Sequence, residues 1–63
     1  MPFVQIHILE GNSPEKISEL ISEVTATVAR VLQRPADRVR VLVNEVPKTH
    51  WGIGGATAQE LGR

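Results

Sequence analysis

Few residues of this chain could do chemistry, and the first of them is Pro2. Once Met1 is removed, Pro2 carries a secondary amine, held rigid by its ring and able in its neutral form to act as a base. Trimming of Met1 is expected, because a small penultimate residue such as proline permits it. Behind a retained Met1 the same nitrogen is an amide without basicity. Arg40 is a second candidate, since a planar guanidinium fork grips a carboxylate and an adjacent oxygen together. Trp51 offers an apolar wall. Each has a plainer reading as well: Pro2 as a tolerated terminal residue, Arg40 as a solvated strand residue or an ion-pair partner of Glu45, Trp51 as a core or interface anchor. Other chemistries lack their residues. There is no cysteine, and His7 and His50 stand far apart without a ligand cluster, so neither a disulfide nor a metal site is expected. Gly52-Ile53-Gly54-Gly55 lacks the Gly-Lys-Ser/Thr ending of a phosphate loop and does not sit between a first strand and its helix.

The elements that must position these residues follow from hydrophobic periodicity. Phe3 to Leu9 is apolar or β-branched at nearly every position, with Val4, Ile6 and Ile8 on one face and Phe3, Gln5, His7 and Leu9 on the other, which predicts a strand. Glu10-Gly11-Asn12 supplies a turn. Ser13-Pro14-Glu15 then reads as an N-cap, a proline at the first helical position and an acid in the first turn. Ile17, Leu20, Ile21, Val24, Val28, Val31 and Leu32 form one apolar stripe of an amphipathic helix that covers a sheet. Pro35 stops the helix, and Arg38 to Glu45 reads as a second strand with Val39, Val41 and Val43 opposite Arg40, Leu42 and Asn44, and with Arg38 on the face of Arg40. A crossover helix of this length returns the chain parallel to the first strand, with a right-handed connection. The glycines after Trp51 suit a tight hairpin or an arm laid on a neighbour.

Length and charge bound what such a unit can be. Sixty-three residues make one small domain. Ordering it costs about 95 kcal/mol at roughly 1.5 kcal/mol per residue, while burial of about 60% of its surface returns about 90 kcal/mol, so a lone protomer comes out near zero. Without disulfides or metals, oligomerisation is the remaining route to stability. Seven Lys and Arg balance seven Asp and Glu, leaving no basic field to attract nucleic acid. No apolar run approaches a membrane span, and Met1-Pro2-Phe3-Val4-Gln5 lacks the basic start of a signal peptide, so a cytoplasmic location is expected.

Pro2-Phe3-Val4-Gln5-Ile6-His7-Ile8-Leu9-Glu10-Gly11, Arg38-Val39-Arg40-Val41 and Lys48-Thr49-His50-Trp51-Gly52-Ile53-Gly54-Gly55 together resemble the 4-oxalocrotonate tautomerase family, in order and without gaps over the whole chain. The resemblance implies a single tautomerase-like domain over residues 1–63, of α/β (α+β) class: a β-α-β protomer with two parallel strands, one crossover helix and a C-terminal hairpin or arm. It implies assembly as a hexamer, a trimer of dimers, and a cofactor-independent isomerase of small enol and 2-oxo acids such as those of aromatic catabolism. Pro2 is then the catalytic base. An arginine matching Arg40, supplied by a neighbouring subunit, holds the substrate carboxylate and polarises the 2-oxo oxygen. Burial beside Trp51 and the nearby cation both disfavour a protonated Pro2. Trp51 stands where the family usually has phenylalanine, as a wall of the substrate pocket.

One position departs from the pattern. Asn12 occupies the site of a second arginine that binds the distal carboxylate in dicarboxylate-specific members. Asparagine brings no charge. The substrate is then a monocarboxylate, or the chain is one of two kinds in a hetero-hexamer whose partner supplies the arginine. Two classes of function follow: a tautomerase, with hydratase or dehalogenase chemistry as variants on the same scaffold, or a non-catalytic or partner subunit that kept the fold.

Overall fold

A computed structural model describes residues 1–63. The alternating apolar run forms strand β1, Phe3–Leu9, and the stripe-bearing segment forms helix α1, Pro14–Leu32. Ser13 caps α1 as expected, its hydroxyl accepting the Lys16 N–H at 3.2 Å, with Pro14 in the first turn. The helix ends two residues before Pro35, at Gln33, which adopts a left-handed conformation (φ 54°) and donates its N–H to the Ala29 carbonyl.

Strand β2 runs over Arg40–Val46 and pairs parallel with β1, Phe3 opposite Arg40 and Leu9 opposite Val46. It starts two residues later than the alternation predicts. Ala36–Arg38 forms a 3-10 turn instead, in which the Arg38 N–H donates to Pro35 O and the Val39 N–H to Ala36 O. Those donors serve the turn rather than the ladder, so Arg38 is not on the strand and does not share the face of Arg40 through it. After a second 3-10 turn at Lys48–His50, strands β3 (Gly52–Ile53) and β4 (Ala56–Thr57) form the antiparallel hairpin. Its two-residue connection, Gly54-Gly55, has positive φ at both positions, the geometry that matches the twist of a tight hairpin.

The protomer is thin. Helix α1 packs mainly against β2, the hairpin packs on the turn before it, and the other sheet face stays open. Only Val39 and Ala58 are fully buried, while Phe3 and Leu42 on the open face are 61% and 48% exposed. The radius of gyration, 14.6 Å, exceeds the roughly 11 Å of a compact chain this long. This is the shape of a building block whose core forms against other chains. No helix is long and apolar enough to cross a membrane.

Candidate active site

Pro2 lies half-buried at the N-terminal end of β1, where its carbonyl accepts the Arg40 N–H at 3.0 Å. The parallel register thus brings the two principal candidates together through their backbones. The Arg40 guanidinium turns back over the 3-10 turn: its Nη1 donates to the Asp37 carbonyl at 2.6 Å and to the Val39 carbonyl at 3.4 Å. Those carbonyls fix the direction of the fork while leaving its remaining N–H groups for a ligand. Beside Pro2 opens a cavity of about 300 Å³ lined by Met1, Arg34, Pro35 and Arg38. Met1, the residue joined to the Pro2 nitrogen, is one of its walls.

Asn12 and Trp51 belong to the opposite end of the sheet. A seven-residue strand spans about 20 Å, and Asn12 follows the end of β1 as Trp51 follows the end of β2. The Trp51 of a chain therefore does not wall the Pro2 of the same chain, and the four residues can meet only between neighbouring copies. Asn12 is tied down: its Nδ2 donates to Leu9 O at 2.9 Å and to Glu45 Oε2 at 3.3 Å, and its backbone N–H donates to the same Oε2 at 3.2 Å. Glu45 is thus the partner of Asn12 and not of Arg40. Glu10 closes the same end by accepting the Lys48 N–H at 2.7 Å. Asn12 and Glu45 border an open groove of about 440 Å³ floored by Ile17 and Ile21. Trp51 is half-buried, its carbonyl accepting the Ala58 N–H at 2.8 Å, which pins the hairpin.

His7 and His50 stay apart from this chemistry. His7 faces Asn44 across the strands, 3.3 Å from its Nδ2, and His50 ends an exposed turn. Sequence reasoning gave neither Arg34 nor Arg38 a role at this end, where both line the cavity with Met1. The available signal was a density of charge: Arg34, Arg38 and Arg40 stand within seven residues that hold one acid, Asp37.

A β-α-β protomer of this size, with a thin core and a short C-terminal hairpin, is a recognisable class of small subunit, and comparison with known proteins identifies it. The family described as "Tautomerase enzyme" matches residues 2–60. The chain is 51% identical to a 2-hydroxymuconate tautomerase of Stutzerimonas stutzeri over 63 residues, all of both chains. Among solved structures, a 4-oxalocrotonate tautomerase isozyme of Methylibium petroleiphilum superposes with a TM-score of 0.92 at 42% identity, covering 98% of this chain and 100% of that one. A heterohexamer 4-oxalocrotonate tautomerase from Chloroflexus aurantiacus J-10-fl superposes with a TM-score of 0.89 at 39% identity, covering 97% and 98%. The chain belongs to the tautomerase family and is an isomerase of the 4-oxalocrotonate tautomerase type.

Proposed function

We propose that this chain ketonises small 2-hydroxydienoate acids, with the amine of Pro2, freed of Met1, as the proton carrier. The observation that carries the reading is the position of Pro2 at the N-terminal end of β1, where its carbonyl accepts the Arg40 N–H and the preceding Met1 borders a cavity with Arg34 and Arg38. The amine takes the 2-hydroxyl proton. As the C–O bond becomes a carbonyl, the π electrons shift along the conjugated chain and the amine returns the proton to a carbon, ending neutral. Only a neutral amine can start this cycle, and cations around it disfavour the ammonium form. Arg40, from a neighbouring copy, grips the carboxylate and the 2-oxygen, where negative charge builds. Trp51 of a neighbour closes the apolar side of the pocket.

The site requires assembly, and the protomer favours it. The exposed Phe3 and Leu42 and the free edges of a two-stranded sheet are surfaces that other subunits cover in a hexamer. The heterohexameric relative supports a second reading, in which this chain pairs with a different one carrying a charge at position 12. The test of the main reading is an ultraviolet assay of 2-hydroxymuconate ketonisation by the purified chain alone, with mass spectrometry of its N-terminus. Turnover is expected wherever Pro2 is the first residue. A trimmed, assembled chain with no activity would overturn the reading, and activity regained on adding a second, homologous chain would favour the hetero-oligomer.

A further inference from the structure

Position 12 carries no charge, yet the chain is not short of cations where Pro2 stands. Arg34 and Arg38 line the cavity next to it, and both side chains are exposed to whatever enters. They are not equivalent. Arg34 Nη1 reaches back to the Leu32 and Gln33 carbonyls, at 3.4 Å each, and the Arg40 fork is held by Asp37. The guanidinium of Arg38 makes no hydrogen bond or ion pair within the chain. Its backbone, in contrast, is fixed by the 3-10 turn through the Arg38 N–H to Pro35 O bond of 3.0 Å. A fork uncommitted within the chain, on an anchored turn and lining the cavity that Met1, the neighbour of Pro2, also borders, is poised to receive an anion.

We propose that Arg38 is a specificity-determining residue that binds the second carboxylate of a dicarboxylate substrate, supplying from beside Pro2 the charge that Asn12 does not. The inference rests on the tautomerase reading above, with Arg40 of a neighbour on the first carboxylate. The far end of the sheet argues in the same direction. There Asn12 is hydrogen-bonded to the Glu45 carboxylate and Glu10 accepts the Lys48 N–H, so position 12 faces a carboxylate rather than a free cation. At the Pro2 end three arginines face one acid. The excess of cations at the Pro2 end favours a dianion there.

The experiment compares kcat/KM of the trimmed, assembled chain and its Arg38→Ala and Arg38→Lys variants on 2-hydroxymuconate, a dicarboxylate, and on phenylenolpyruvate, a monocarboxylate. Arg38→Ala is expected to lower the dicarboxylate value about ten-fold or more, mainly through KM, since a charge-assisted bond is lost. The monocarboxylate value should stay within about three-fold, and Arg38→Lys should fall between wild type and Ala on the dicarboxylate. Arg30→Ala, a charge deletion at the end of α1 outside the cavity, controls for the general field and should leave both values within about two-fold. Equal losses on both substrates, no loss on either, or the same selectivity from Arg30→Ala would overturn the proposal. Calorimetric binding of trans,trans-muconate, a dicarboxylate without the enol, separates this question from catalysis. Weaker binding by Arg38→Ala supports the anion site even if turnover is absent, and unchanged binding rejects it.

Discussion

The two ends of the β1–β2 sheet are built from the same strands and behave as opposites. At the C-terminal end two polar side chains lock the turns: Asn12 bridges Leu9 and Glu45, and Glu10 holds the backbone of Lys48. At the N-terminal end Arg34 and Arg40 are tied to backbone carbonyls, while the Arg38 fork, lining a cavity with Met1, has no partner within the chain. Hydrogen bonds satisfied within the chain hold a turn; donors left free on a fixed backbone hold a ligand. Asn12 in this protein bridges Leu9 and Glu45, and the proposed chemistry lies with residues about 20 Å away along the strands. Only in an assembly, where the C-terminal end of one copy can meet the N-terminal end of another, do the two contribute to one site.

That contrast can be broken from either end. The largest effect should come from Pro2→Ala, which leaves a primary amine without the ring; kcat on a 2-hydroxydienoate is expected to fall about 100-fold or more, with the oligomer intact by light scattering. Arg40→Ala should follow, lowering kcat/KM by roughly 10²–10³ because the developing oxyanion loses its counter-charge. An unchanged rate would return Arg40 to a solvated strand position. Leu42→Asp sits on the open sheet face and touches neither end directly. A charge there should disrupt assembly, read as a lower mass in sedimentation at micromolar concentration, and activity should fall with the fraction assembled. Asn12→Arg should change least, raising dicarboxylate kcat/KM by up to about ten-fold, because Glu45 stands ready to pair with part of the new charge.

The fold was readable wherever a residue pattern dictates a backbone. Strand β1, the capped start of α1, the parallel return and the glycine hairpin follow from period, cap and turn chemistry, and the structure has them. The start of β2 was not readable, because Arg38-Val39-Arg40 alternates like a strand while Pro35 sets up a 3-10 turn that captures the same N–H groups. Val39 is buried in either arrangement, so hydrophobicity could not distinguish them. Pro2 and Arg40 stood out through the family resemblance, and the parallel register brings their backbones together. The commitment of Asn12 to Glu45 was not legible, since it joins residues 33 apart in the chain. The free state of Arg38 was hidden for the same reason: an absence of partners is a property of the fold.

The claim at the centre is that the nitrogen of Pro2 is the base. It is tested most directly by the 15N chemical shift of that nitrogen, followed against pH in the trimmed, assembled chain and laid over the pH dependence of kcat/KM. A base must be neutral to act, so activity should rise with pH through the amine's own titration. The account predicts that the two curves share one midpoint. An amine that stays fully protonated throughout the active range, or an activity limb that moves independently of it, would contradict the account.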